Sequence, residues 1–229
     1  NVHIVLPDAD LEGAVSCAAW GTFLHQGQVC MAAGRHLVHR DVAQQYAEKL
    51  ALRAKNLVVG DPNSDQVHLG PLINEKQVVR VHALVESAQR AGAQVLAGGT
   101  YQDRYYQATV IMDVKPEMEV FKSEIFGPVA PITVFDSIEE AIELANCSEY
   151  GLAASIHTRA LATGLDIAKR LNTGMVHIND QPINCEPHVP FGGMGASGSG
   201  GRFGGPASIE EFTQSQWISM VEKPANYPF

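Results

Sequence analysis

Apolar residues alternate along this chain between two spacings. Val2, Ile4, Val5 and Leu6 form a short apolar run, and residues 2–6 read as a strand. Leu11, Ala14, Val15 and Ala18 then recur at helical spacing, with Asp8 or Asp10 as the N-cap. Residues 35–39 form the next predicted strand. Asp41 with Gln44 makes a capping box for a helix that turns Val42, Tyr46 and Leu50 inward. Residues 60–65, Gly-Asp-Pro-Asn-Ser-Asp, are rich in turn formers. Asn74 with Gln77 caps a helix bearing Val78, Val81, Leu84, Val85 and Ala88. Residues 95–96, 109–111 and 130–135 are strand candidates, and Ser137 with Glu140 caps a helix through Ala145. A strand at 153–157, a helix at 161–171 and a strand at 175–179 complete the series.

Repeated strand–helix alternation predicts an α/β fold, with a mostly parallel, twisted sheet covered by helices on both faces. No internal repeat is present. Residues 191–205 shift to glycine and serine, and a polar tail with Trp217 and Ile218 follows. The predicted division is a main unit, 1–205, and a tail, 206–229.

Composition narrows the classes of function. A chain of 229 residues is long enough to bury a sizeable core. It carries 25 acidic against 16 basic residues and no lysine or arginine cluster, which argues against nucleic acid and anionic membranes as partners. No apolar stretch approaches the roughly 18 residues that span a bilayer. The widely spaced cysteines, Cys17, Cys30, Cys147 and Cys185, fit a reduced setting, so a cytoplasmic protein is expected. The four cysteines lack Cys-x-x-Cys spacing, and the nine histidines are scattered. Neither a disulfide framework nor a metal site is expected. The sequence opens in the middle of an apolar run without methionine, as a piece of a longer protein would.

Two runs carry the candidate chemistry. Phe-Leu-His-Gln-Gly-Gln-Val-Cys-Met-Ala, residues 23–32, places Cys30 at the end of a helix beside a glycine turn. Such a turn holds a thiol out for nucleophilic attack, whereas a cysteine filling a core gap needs none. Glu-Ile-Phe-Gly-Pro-Val, residues 124–129, projects Glu124 and Phe126 from a constrained turn before a strand. An acid and an aromatic displayed together suit a pair of ligand hydroxyls and a flat ring. The plainer alternative is an exposed glutamate beside a core phenylalanine. A third run matches G-x-G-x-x-G at Gly193, Gly195 and Gly198. It lies near the C-terminus, and Gly200, Gly201, Gly204 and Gly205 would spoil the helix that a dinucleotide fingerprint requires. It reads as a loop packed close to another backbone.

Taken in order, these runs resemble the aldehyde dehydrogenase superfamily. The cysteine signature matches at Phe23, Gly27, Gln28, Cys30, Ala32 and Gly34, and the second motif as Glu124-Ile125-Phe126-Gly127-Pro128. Further matches are Asn146 with Tyr150-Gly151-Leu152-Ala153, residues 174–179, and Pro190-Phe191-Gly192-Gly193 with Ser197-Gly198. Residues 177–182 and 192–198 look most like the benzaldehyde, salicylaldehyde and vanillin dehydrogenase branch.

The resemblance implies a catalytic domain over 1–205 that oxidises an aldehyde, aromatic by branch, with NAD or NADP as acceptor. Cys30 would be the nucleophile, passing through a thiohemiacetal and a thioester, with its own N–H donating to the developing oxyanion. An unperturbed thiol is only about 3% thiolate at neutral pH, so activation by its surroundings is expected. Glu124 resembles the residue that holds the nicotinamide ribose hydroxyls, Phe126 the one packed on that ribose and ring, and Leu152 a ring contact. The substrate pocket would include Val29, Met31, Ile183 and Phe191. Asn179 falls nearby, in a role either at the site or purely structural. The family's nucleotide-binding domain, general-base glutamate and oxyanion asparagine precede the part seen here, so the isolated segment is expected to be inactive. Residues 212–221, with Trp217, Ile218 and Met220, would be a strand joining a neighbouring subunit's sheet in a homo-oligomer, dimer or tetramer.

Two other classes stay open on the residues alone. A cysteine hydrolase or acyltransferase would pair Cys30 with His25 or His177, and would need that histidine but no nicotinamide. A non-catalytic interaction domain would leave Cys30 no more reactive than Cys17 or Cys147. Cys17 is expected to pack on its helix, Cys147 and His188 to sit in loops, and Cys185 to line the substrate loop.

Overall fold

The computed structural model describes residues 1–64 and 66–229, so Asp65, the last residue of the predicted turn, lies outside the described residues. The strands are β1 (Val2–Val5), β2 (Arg35–His39), β3 (Gln94–Ala97), β4 (Tyr101–Gln102), β5 (Tyr105–Tyr106), β6 (Thr109–Met112), β7 (Val129–Phe135), β8 (Tyr150–Gly151), β9 (Ala153–His157), β10 (Met175–Ile178) and β11 (Met194–Gly195). Seven of them form one sheet in the order β10-β9-β1-β2-β7-β6-β3. All neighbours are parallel except β3, which runs antiparallel to β6 at the edge. β4–β5 and β8–β11 are short separate hairpin-like pairs.

Helices α1 (Leu11–Phe23), α2 (Arg40–Lys55), α3 (Glu75–Arg90), α4 (Glu119–Lys122), α5 (Ile138–Asn146), α6 (Leu161–Arg170) and α7 (Ala207–Phe212) complete the chain. α1 and α2 pack on one face of the sheet, where Val15, Tyr46 and Leu50 meet Val5, Val38 and Ile132. α3, α5 and α6 cover the other, where Val81, Val85, Ile142 and Ile167 meet Ile4, Leu37, Ile111 and Ile156. Adjacent residues of β1 and β2 thus enter opposite cores, Ile4 and Leu37 on one side and Val5 and Val38 on the other, which is why apolar residues stand next to each other there.

The caps show where local reading succeeds and where it slips. Asn74 accepts from Gln77 N at 2.9 Å and Ser137 from Glu140 N at 3.2 Å, as expected. The predicted Asp41 cap is wrong. α2 begins two residues earlier than that cap requires, and His39 Nδ1 accepts from Asp41 N at 3.3 Å. Asp10 is the N-cap residue of α1 but makes no side-chain cap bond. Asp8 instead accepts from Arg159 N at 3.0 Å and Ala160 N at 3.1 Å, ahead of α6 and about 150 residues away in sequence.

Parallel pairing sets several loops at one edge of the sheet. Val2 lies opposite Arg35 of β2 and Ala154 of β9, and His36 lies opposite Ile132 of β7. The segments entering β1, β2, β7 and β9 therefore converge at the amino ends of the strands. The glycine-rich region packs backbone on backbone, as predicted. A Cβ on Gly174 would stand 1.7 Å from Gly192 O, so neither segment could approach the other with a larger residue there. Phe212 ends α7 rather than starting a strand, and residues 213–221 have no regular secondary structure. No helix is long and apolar enough to cross a membrane among the described residues.

Candidate active site

Cys30 sits in a loop whose shape is fixed on both sides. α1 ends at Phe23, and His25, Gln26 and Gly27 all adopt positive φ (52°, 56° and 68°), which turns the chain sharply. Gln28 Oε1 accepts from Ile73 N at 2.9 Å, tying the loop outward. Ala32 N donates to Val29 O at 3.0 Å, closing a turn around Cys30, and Ala33 N donates to Gly21 O at 2.8 Å. Asn1 Nδ2 donates to Cys30 O at 2.6 Å and to Ala32 O at 3.0 Å. The thiol that this turn carries is exposed.

Residues 123–127, at the end of α4, form the facing wall. Ile125 is the buried anchor, 4% exposed, while Phe126 adopts φ 47° and stays 38% exposed. The core residue of the motif is thus Ile125, and the plainer reading of Phe126 as a core phenylalanine is corrected. Glu124 is exposed beside it. α3 holds this wall from behind. Gln77 Nε2 donates to Ile125 O at 3.0 Å and Phe126 O at 2.8 Å, and Arg80 donates to Ile125 O at 2.9 Å and to Glu124 O. The two walls touch through glycines: a Cβ on Gly27 would lie 2.2 Å from Gly127 O. Cys30, Val29, Glu124 and Phe126 line one cleft, with Asn1, Thr22, Arg35 and Tyr150 at its floor and sides.

The other expected site residues are placed differently. Leu152 is buried just before β9, and the next residue, Ala153, donates its N–H to Asn1 Oδ1 at 3.0 Å. Met31 flanks Cys30 without lining the cleft. Asn179 (φ 58°) uses its amide on the backbone of Thr158, accepting from its N–H and donating to its carbonyl, both at 2.9 Å. Ile183 is held in a small turn by Gln181, whose side chain bonds both its N–H and its C=O. Phe191 lines a separate hollow with His177, Cys185 and Pro190, under β10. Among the described residues, neither His25 nor His177 lines the cleft holding Cys30. Sequence reading passed over Asn1, Gln77 and Arg80. Only Gln77 carried a signal, and it pointed to a cap.

A buried polar network backs the nucleophile loop. Tyr46 OH lies 2.7 Å from His36 Nδ1, and His36 Nε2 lies 2.9 Å from Thr22 Oγ1, which bonds onward to Ala33 O. His3 and His157 lie beside it, ring centroids 4.4 Å apart and planes tilted by 40°. Burial pushes His36 down to about 3 and His157 to about 4. His3 is pushed well down as well, by burial first and then by its histidine neighbours. All three are neutral at physiological pH.

An exposed ring on a rigid turn, an exposed carboxylate two residues before it and an exposed thiol in the same cleft could together hold a ribose and a flat heterocycle next to a thiol. The aldehyde dehydrogenase family model matches residues 1–218. The chain belongs to that family. It is 52% identical to a vanillin dehydrogenase of Amycolatopsis sp. over 99% of this chain and 47% of that protein. A benzaldehyde dehydrogenase of Bacillus subtilis is 42% identical over 100% of this chain and 47% of its own length. Among solved structures, a salicylaldehyde dehydrogenase from Pseudomonas putida G7 complexed with salicylaldehyde superposes with a TM-score of 0.96. That match has 34% identity and covers 100% of this chain and 47% of that one. The chain thus spans about half the length of the curated relatives it matches. With its mostly parallel sheet and helices on both faces, it has the fold of the corresponding part of those structures.

Proposed function

We propose that the protein carrying this chain oxidises an aldehyde to the carboxylic acid, with Cys30 as nucleophile and NAD or NADP as acceptor. The observation that supports this most is the single cleft in which exposed Cys30 faces Glu124 and Phe126, with the walls locked together at Gly27 and Gly127. Bound in that cleft, the nicotinamide supplies the hydride acceptor. Glu124 would hold the ribose hydroxyls of that group and Phe126 would pack against its ribose and ring, with Leu152 as a further ring contact.

The Cys30 thiolate adds to the aldehyde carbon, and the C=O π electrons move onto oxygen. The Cys30 N–H stabilises that oxyanion. Once oxidised, the acyl group is held on Cys30 as a thioester, which water cleaves to release the acid and the thiol. Aromatic, benzaldehyde-like aldehydes are the proposed substrates. The vanillin, benzaldehyde and salicylaldehyde dehydrogenases among the relatives support that class. Val29 lies at the nucleophile and lines the cleft with it, whereas Met31, Asn179, Ile183 and Phe191 stand outside that cleft. The protein acts in the cytoplasm as a homo-oligomer, dimer or tetramer, through residues 212–221, whose Trp217 is 93% and Met220 91% exposed. The 229-residue segment alone does not turn over aldehyde, because its relatives carry as much chain again.

The test is Cys30→Ala in the full-length protein, assayed with benzaldehyde and either nicotinamide cofactor. Loss of dehydrogenase activity is expected, and retained turnover removes Cys30 from the role. Nicotinamide-dependent oxidation by the purified segment would overturn its proposed inactivity.

A further inference from the structure

The nucleophile's own carbonyl is held by a side chain from the residue that leads into β1. Asn1 directly precedes β1, which is paired on both sides by β2 and β9, so its backbone is among the most fixed in the sheet. Its amide makes three bonds at the cleft floor. Nδ2 donates to Cys30 O at 2.6 Å and to Ala32 O at 3.0 Å, and Oδ1 accepts from Ala153 N at 3.0 Å. The two carbonyls belong to the turn that presents the thiol, and the N–H belongs to the residue after Leu152.

We infer that Asn1 is a positioning residue for Cys30, joining the nucleophile turn to the start of β9 through one amide. This rests on the assignment of Cys30 as nucleophile. The chemistry is specific to an amide of this length. Two donors and one acceptor must lie in one plane, 29 and 31 residues from the carbonyls and 152 from the N–H. Aspartate keeps the shape and the acceptor but sets a carboxylate against two carbonyl oxygens. Alanine leaves all three groups to water. Either change lets the turn rotate, and the thiol with it. Glu124 and Phe126 are held instead by Gln77 and Arg80 on α3, so the cofactor wall does not depend on Asn1.

The experiment compares Asn1→Ala, Asn1→Asp and Cys30→Ala in the full-length protein, measuring kcat, cofactor KM, thermal midpoint and the rate of inactivation by iodoacetamide. Displacing a reacting group by about 1 Å costs on the order of a hundredfold, so kcat and the inactivation rate should fall together by about ten- to a hundredfold. Cofactor KM should stay at its wild-type value. Wild-type kcat and inactivation rate in a folded Asn1 variant would overturn the inference, as would failure of both Asn1 variants to fold, which would make Asn1 purely structural. Turnover by Cys30→Ala would instead defeat the nucleophile assignment. An inactive Cys30→Ala beside fully active Asn1 variants defeats the role of Asn1 alone.

Discussion

Gly27 and Gly127 meet backbone to backbone, so closely that a methyl group on the first would lie 2.2 Å from the carbonyl oxygen of the second. That contact sets the width of the cleft between Cys30 and the Glu124–Phe126 wall. Gly27→Ala must both adopt φ 68° and push the wall away. Its expected cost is about 1–3 kcal/mol, read as a lower urea midpoint, with a raised cofactor KM from the displaced wall. A variant with wild-type stability and KM would show that the walls are not coupled there.

Arg80 and Gln77 hold three consecutive carbonyls of the facing wall. Hydrogen bonds to a charged donor contribute about 1.5–3 kcal/mol, and about 1.4 kcal/mol corresponds to tenfold in binding. In the full-length enzyme Arg80→Ala should raise cofactor KM by about tenfold, with a smaller effect from Gln77→Ala. Steady-state kinetics against cofactor concentration checks this. A change confined to kcat would contradict it.

The histidines behind the nucleophile loop make the fold acid-sensitive. His36 and His157 titrate near 6.5 when unfolded but only at about 3 and about 4 when folded. Between those limits the unfolded chain binds protons that the folded one refuses, so stability falls as pH drops below 6.5. Each of these groups removes up to about 1.4 kcal/mol per pH unit. Urea midpoints should be flat above pH 7 and decline steadily towards pH 5. Replacing His36 by Gln should flatten that decline, while an unchanged slope would place the sensitivity elsewhere.

Thiol labelling separates the cysteines. Cys17 is only partly exposed on α1, and burial, followed by Asp180 and Asp10, pushes its thiol up. Iodoacetamide should modify Cys30, Cys147 and Cys185 before Cys17, as read by peptide mass spectrometry. Cys30 reacting no faster than Cys17 would favour an interaction domain over an enzyme.

How far the sequence carried depends on distance along the chain. Strands such as β1 and β7 were readable because burial on both faces leaves a mostly apolar run, and α3 because Val78, Val81, Leu84, Val85 and Ala88 keep one helical face. Caps were readable when donor and acceptor lie three residues apart, as at Asn74. The same local reading erred at Asp41, because a histidine one residue before the helix made the bond instead. Gln77 looked complete as a capping partner, yet its side chain reaches 48 and 49 residues onward to Ile125 and Phe126. Asn1, tied to Ala153, had no local signature at all. The reactive residues were visible because their turns are built locally, whereas the groups that hold those turns come from elsewhere in the sheet.

Cys30 is kept in a fixed pose while open to solvent. A thiol presented this way reacts with whatever electrophile arrives, and peroxide needs no pocket. Oxidation to the sulfenic acid would remove its nucleophilic character until a second thiol restores it. The openness that would admit a reactant to this cleft admits oxidants equally, so the same exposure that offers the sulfur also puts it at risk.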